Sequence, residues 1–428
     1  MKILHLTPGT GAFHCGSCLR DQDLAKGVRA AGHDFTVIPL YLPLVVDHES
    51  AETEGAPIFL GGVNLYLQQK LPLFRHTPRW LDRLLDGRSF LRKAGRRVGM
   101  TSARDLGEMT VGSLRGMEGP QRKEIGRLID WMASQKGFEV ISISNALLLG
   151  LVPELQARLP GARLVCSLQG EDTFLDSLTD PWRADSWNRL RALARGVDLF
   201  TAVSHYHGQL MQKRLDLSDS QLRVVSNGVD VEAFAPAPPD PPKVPVIGYL
   251  ARLFPDKGLL TFVEAFLKFR QTELGREAQA LIAGACLPAD EPWVEDCRQR
   301  LRAQGCEAAV TWLPNCSFEE KVAFFHQLSV FSVPAVYGES FGLYVVEAMA
   351  SGVPVVQPRH GGFVEIVERA GGGLLVEPPG DPSALAEAWE EVLGDEEGRA
   401  RLAREARESA VAHFSRTRMV ANFLAAVA

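Results

Sequence analysis

The chain carries no surplus of positive charge: 46 Lys and Arg stand against 52 Asp and Glu, a formal net charge of −6. A phosphate backbone selects for a basic excess, so this balance argues against a nucleic-acid partner. Long apolar runs are missing too. The longest, such as Ala146 to Val152, fall far short of the roughly 20 residues that span a bilayer. Met1-Lys2-Ile3-Leu4 opens like a charged start with an apolar run, but His5, Pro8 and Gly9 interrupt it and no small-residue cleavage site follows, so no signal peptide is expected. The seven cysteines are odd in number and mostly scattered, which fits a reducing compartment better than a disulfide framework; the expected location is cytoplasmic. Metal-site spacing is lacking as well. Cys15 and Cys18 form a C-x2-C, yet no second C-x2-C or H-x3-H accompanies it, and Cys286, Cys297, Cys306 and Cys316 are too widely spaced. A structural zinc asks for four ligands, so no metal is expected.

What is present is the makings of two domains. A chain of 428 residues exceeds one ordinary core and suits two of about 200 residues each. Lys2 to Thr7 reads as a strand, Pro8 to Ser17 as a loop holding Gly9, Gly11 and Gly16, Leu19 to Ala31 as a helix, and Phe35 to Leu40 as the next strand. The loop enters a helix N-terminus, where exposed N–H groups favour anions. From Lys70 to Arg127 the pattern turns basic, with 14 Lys and Arg against 6 Asp and Glu. A solvated helical insertion at about 70–135 is the plainer reading; weak peripheral membrane contact through it is the sharper one.

Strands resume at Val140 to Ile143, Arg163 to Leu168, Leu199 to Val203 and Arg223 to Val225. Six prolines in the eleven residues 235–245 then break any helix or central strand and mark a linker. A second series follows: Val246 to Leu250, Ala280 to Ala283, Val310 to Leu313, Val330 to Val333, Val353 to Gln357 and Gly373 to Val376. Strands alternating with helices imply parallel sheets covered on both faces. The expected fold class is therefore α/β: two doubly wound Rossmann-like domains facing each other across a cleft, at 1–234 and 246–410, with a terminal helical stretch at 411–428 that packs back on the first. Ligands then belong at the carboxyl ends of the strands.

The chemistry-bearing constellation is Gly338-Glu339-Ser340-Phe341-Gly342-Leu343-Tyr344-Val345-Val346-Glu347. Two carboxylates lie eight residues apart, one in a loop and one about two turns into a helix, on roughly the same side. Phe341, Gly342 and Leu343 would offer N–H groups to a diphosphate. Glu347 can accept from both hydroxyls of a ribose, and Glu339 from those of a sugar. Arg252 and Lys257 follow the first strand of the second domain, where two cations can neutralise a departing diphosphate. Taken singly each residue is an ordinary surface charge; the set is harder to explain that way.

Gly248-Tyr249-Leu250-Ala251-Arg252 with Lys257-Gly258, Asn227-Gly228-Val229-Asp230, the Glu339/Glu347 run and Arg359-His360-Gly361-Gly362 with Glu365 together resemble glycosyltransferase family 4. The resemblance covers nearly the whole chain and is most specific between Asn227 and Glu365. It implies the GT-B fold, a nucleotide-sugar co-substrate with no further cofactor, and retention of anomeric configuration. It also implies that Arg252 and Lys257 bind diphosphate, Glu339 the donor sugar and Glu347 the ribose. Phe341, Gly342 and Leu343 would line the phosphates, Leu313 and Pro314 the base, and Gly361, Gly362 and Asn227 the donor's surroundings. UDP-sugars are favoured, GDP-sugars next. The acceptor is unidentified, a saccharide or lipid-linked group, and no obligate protein partner is implied.

One position departs from the family. Where many members carry His at a strand end, this chain has Gln169, which cannot act as a base but can bond sugar hydroxyls. In the first loop, Gly11, Gly16 and Ser17 are candidates for phosphate or acceptor, and Asp21 for acceptor contact; Cys15 and Cys18 equally suit a tight turn. The remaining histidines read as isolated. Two rival functions stay open, a sugar-nucleotide epimerase or hydrolase on the same fold and a non-catalytic nucleotide-sugar-binding homologue.

Overall fold

The computed structural model describes residues 1–9, 16–41, 103–135, 137–236 and 244–428. Gly11, Cys15, most of the basic stretch and most of the proline-rich run lie outside the described residues. The chain divides into two compact units, Met1–Val225 with Val420–Ala428, and Ser226–Met419.

In unit 1 the elements are β1 (Lys2–Thr7), α1 (Gly16–Ala30), β2 (Asp34–Pro39), α2 (Ala103–Leu114), α3 (Arg122–Gln135), β3 (Val140–Ile143), α4 (Val152–Arg158), β4 (Arg163–Leu168), α5 (Glu171–Ser177), α6 (Trp182–Ala194), β5 (Leu199–Ala202), α7 (His205–Leu215) and β6 (Leu222–Val224). The strands form a parallel sheet in the order β2-β1-β3-β4-β5-β6. All four residues of β3 are buried, as a strand covered on both faces requires. Ile141, Ile143, Leu164, Cys166 and Phe200 join one apolar core with Leu128 and Ile129 of α3.

Unit 2 repeats the plan with β7 (Val246–Leu250), α8 (Leu259–Phe269), β8 (Gln279–Gly284), α9 (Glu291–Ala303), β9 (Val310–Pro314), α10 (Phe318–Phe325), β10 (Val330–Phe331), α11 (Leu343–Ala350), β11 (Val355–Pro358), α12 (Gly362–Ala370), β12 (Gly373–Val376), α13 (Pro382–Gly394) and α14 (Glu396–Phe414). Its parallel order is β12-β11-β10-β7-β8-β9. Leu259, Phe262, Val263, Phe266 and Phe269 of α8 recur on one face and are all buried. Phe262 and Phe269 meet the fully buried Trp389 of α13 edge-on, at 5.3 and 6.3 Å between centroids. Burying a Phe side chain contributes roughly 1.5–3 kcal/mol, so this stripe anchors the helix on the sheet. The last helix, α15 (Arg416–Val427), is separated from α14 by Ser415. Its final part belongs to unit 1, where Phe423 packs against Phe35 at 6.4 Å.

Both units are doubly wound α/β, as the alternation of patterns implies. Each has a point where strand order reverses, between β1 and β3 in unit 1 and between β7 and β10 in unit 2. Crevices open there at the strands' carboxyl ends.

Candidate functional site

In unit 2 the crevice between β7 and β10 collects the expected residues. Lys257 follows β7 in a short turn (Pro255–Lys257), and Glu339 lies in the loop between β10 and α11. Gly258 ends that turn at φ +73, and a Cβ there would stand 1.8 Å from the Pro334 carbonyl oxygen. Only glycine lets the lysine's turn lie this close to the strand end that precedes Glu339.

Lys257 donates to both Glu339 Oε2 and the Tyr337 hydroxyl. Tyr337 and Tyr344 also donate to Oε2, at 3.2 and 2.8 Å. Burial would raise the Glu339 carboxyl, but Lys257 beside it and the tyrosine hydroxyls hold it below the ordinary value. Burial would lower Lys257, and Glu339 overrides this and raises it. Tyr337 is pushed up to about 12 by burial and by Glu339. The pair is thus ionised, with its charge balanced inside the protein. A Cβ at Gly361, which has φ +60, would lie 2.6 Å from Glu339 N, and Gly362 N–H donates to Glu339 O at 2.7 Å. The two expected glycines therefore let α12 begin directly on the Glu339 backbone.

Around this pair, Glu347 of α11 is 8% exposed and accepts from Lys321 at 2.8 Å through Oε1. Arg252 is held by Asp290 through Nε at 3.1 Å and an Nη at 2.9 Å, with its face over Phe254. Phe341 and Gly342 precede α11 and Leu343 opens it, so their N–H groups lie where a helix has no internal acceptors. Leu313 and Pro314 end β9; Pro314 lines a cleft of about 420 Å³ with Leu253, Cys286, Trp312 and Asn315. Asn227 is buried, and its side-chain oxygen has no partner among the described residues.

Unit 1 holds a second polar cluster, at the carboxyl ends of β1, β3 and β4. Asp21 of α1 is fully buried and accepts from Thr7 at 3.0 Å, Ser144 at 2.5 Å and Arg20 at 3.1 Å, with the His5 imidazole 3.3 Å away. Burial works to raise it, yet His5, Arg20 and Ser144 hold it down at about 2. Gln169 follows β4 and donates its amide to the Ser144 carbonyl at 2.7 Å and, at 3.4 Å, to Asp21. Beside it Glu171 accepts from the backbone N–H of Ala146 at 2.8 Å, Gln169 at 2.8 Å and Gly170 at 3.0 Å, which ties two strand-end loops together. His207 stands 3.6 Å from Glu171 and 3.5 Å from Asp172.

Three expectations need correction here. Gly16 and Ser17 form the first turn of α1 instead of the preceding loop; a first turn needs no internal acceptor for its N–H groups, so Gly and Ser are tolerated there. Asp21 does not face an acceptor: it is enclosed, with both oxygens committed to protein donors. His5 and His207 are not isolated but sit fully buried among carboxylates. No spacing rule joins His5 to Asp21 or His207 to Glu171, because the sheet makes these contacts. The spacing reading gives no role to the tyrosines around Glu339, although Tyr344 lies in the motif itself and Tyr337 one residue before it. Among the described residues no group of three or more His, Cys, Asp or Glu is disposed to hold a metal ion, and no helix is long and apolar enough to cross a membrane.

Two family models match adjoining stretches, "Glycosyltransferase Family 4" over residues 112–233 and "Glycosyl transferases group 1" over residues 230–409. Among curated relatives, the D-inositol 3-phosphate glycosyltransferase of Corynebacterium glutamicum (strain R) is 28% identical over 230 residues, 51% of this chain and 54% of that protein. The protein of the same name from Saccharomonospora viridis is 32% identical over 205 residues, covering 46% and 47%. The chain thus aligns with about half the length of these relatives. Among solved structures, sucrose-phosphate synthase from Thermosynechococcus elongatus superposes with TM-score 0.71 at 19% identity, over 99% of this chain and 98% of that one. Anabaena HepE in complex with UDP gives 0.70 at 19%, over 99% of each. The matched models run through most of the chain, include both carboxylates and both cations of the unit 2 crevice, and stand on two doubly wound units; the chain belongs to the family 4 type of glycosyltransferases.

Proposed function

We propose that this protein is a retaining glycosyltransferase that takes a sugar from a nucleoside diphosphate sugar, UDP-linked first and GDP-linked next, and needs no metal ion. The observation that carries the reading is the ionised Lys257–Glu339 pair at the strand-order reversal of unit 2, with Arg252 and Glu347 on neighbouring elements. Solved complexes of HepE with UDP and with UDP-glucose add support for the donor class.

In this reading Lys257 and Arg252 neutralise charge on the diphosphate as the bond from the sugar's anomeric carbon to the phosphate oxygen breaks. The electron pair leaves with that oxygen. An acceptor hydroxyl oxygen bonds the anomeric carbon from the same face, and its proton passes to the departing phosphate. No protein base is required, which fits Gln169 at its strand end. Glu347 keeps Oε2 for the ribose hydroxyls while Lys321 holds Oε1. The acceptor is a hydroxyl-bearing molecule.

The test is a thermal-shift panel of UDP, GDP, ADP and their sugar conjugates on wild type and Lys257→Ala. A ligand at 100 times its Kd stabilises the folded protein by about 2.7 kcal/mol. One nucleotide should shift the wild type and leave Lys257→Ala unmoved. A wild type indifferent to all of them refutes the donor reading.

A further inference from the structure

The Glu339 carboxylate accepts three hydrogen bonds from described residues, and all three reach the same oxygen. Lys257, Tyr337 and Tyr344 each donate to Oε2, the tyrosines at 3.2 and 2.8 Å. No described residue donates to Oε1. A carboxylate on a free side chain rotates and exchanges its two oxygens. Here the plane is pinned from three directions, and the backbone beneath it is pinned by Gly362 N–H. The residue is 8% exposed, so what remains open is a single oriented acceptor.

The donors are not equivalent. Lys257 is shared, since it also donates to Tyr337, and a diphosphate would compete for it. Tyr337 is shared as well. Tyr344 has Glu339 as the one described partner of its hydroxyl, and its ring is set by Phe331 at 6.2 Å and Phe363 at 6.3 Å. It lies two residues into α11, so that helix delivers Glu347 and the Tyr344 hydroxyl together. When a phosphate draws Lys257 away, Tyr344 is the donor that still holds the carboxylate.

We propose that Tyr344 is a positioning residue: its hydroxyl fixes the Glu339 carboxylate so that Oε1 accepts from a hydroxyl of the donor sugar, and Tyr337 assists. The inference rests on the donor reading above and assigns within it how the sugar, as distinct from the nucleotide, is recognised. Burial and the neighbouring carboxylate raise the Tyr344 phenol well above its ordinary value, which keeps it protonated as a donor.

Calorimetric titration with UDP and with UDP-glucose, on wild type, Tyr344→Phe and Tyr337→Phe, tests it; if the panel selects another base, that nucleotide and its glucose conjugate replace the pair. Tyr344→Phe keeps the ring contacts and removes one donor. UDP affinity should stay within about twofold in all three proteins, while UDP-glucose binds Tyr344→Phe about tenfold more weakly, the low end for a hydrogen bond to an ionised group. Removing a donor to the carboxylate raises its pKa, so the preference for UDP-glucose over UDP must fail at higher pH in Tyr344→Phe than in wild type. A purely structural tyrosine would leave that acid limit where it was.

If Tyr344→Phe matches wild type in UDP-glucose affinity and acid limit, the inference falls and the donor reading stands. The same follows if wild type binds UDP and UDP-glucose equally. If wild type binds no nucleotide of the panel, both fall. Equal losses for UDP and UDP-glucose also overturn it, since they mark a general disturbance of the crevice.

Discussion

Replacing Asp21 by Asn should destabilise unit 1 by about 3–5 kcal/mol, the cost of removing one partner from a buried ion pair. Arg20 is 1% exposed, and its other described contact is Ser167 Oγ at 3.3 Å, while its Nε has no partner among the described residues. Asn is nearly isosteric with Asp, and the Thr7 and Ser144 hydroxyls can rotate to accept from its amide. The guanidinium cannot adjust, so the penalty measures an uncompensated charge and not lost volume. The double variant Arg20→Met/Asp21→Asn removes the charge as well and should recover most of the loss. Acid gives a second handle. Asp21 falls from an ordinary 3.8 to about 2 in the folded protein, which contributes about 2 kcal/mol of stability. That contribution is fully present above pH 3.8 and is lost as pH falls through about 2, so the wild-type advantage over Asp21→Asn must narrow across this window. Urea unfolding read by hydrogen exchange in peptides of β1, β3 and β4 isolates unit 1. A single variant costing under about 1 kcal/mol, or a double variant no more stable than the single, would refute the reasoning.

Glu171→Gln replaces an acceptor of three backbone N–H groups with an amide whose NH2 must face a donor, and should cost about 1–3 kcal/mol by chemical denaturation. Burial raises Glu171 but His207 and the Ala146 N–H bring it below its ordinary 4.5. Its contribution is therefore present above 4.5 and disappears as pH falls through the folded value, and the two proteins should converge in acid. Gly258→Ala forces a Cβ to 1.8 Å from the Pro334 carbonyl oxygen at φ +73. It should lower unit 2 stability by at least about 1–3 kcal/mol and weaken nucleotide binding with it, because Lys257 is displaced; an unchanged melting temperature would contradict the geometry.

Much of the architecture is legible in the residue pattern. Lys2–Thr7, Val140–Ile143, Arg163–Leu168, Val246–Leu250 and Gly373–Val376 are strands with the bounds that the apolar runs imply. The pattern is strong there because strands of a covered parallel sheet must be apolar throughout. Elsewhere the bounds move: the strand expected at Val330 to Val333 is Val330–Phe331, and that at Val353 to Gln357 is Val355–Pro358. The first helix begins three residues early, at Gly16, because a first turn asks little of its residues.

The sequence by itself determined two doubly wound units, and within the second the local motif that carries Glu339, its helix and Glu347. Local chemistry suffices for these, since periodicity, glycine and spacing act over a few residues. Tertiary structure decided which charges meet. Lys257 reaches Glu339 across 82 positions, Ser144 reaches Asp21 across 123, and His5 lies beside Asp21 because the first turns of α1 pack against β1. A parallel sheet brings strand ends together through long crossovers, so no spacing in the chain records the encounter. The same physics decided the state of each charge. Burial works to raise Asp21 and Glu339, and the partners that the fold delivers hold both carboxylates below their ordinary values.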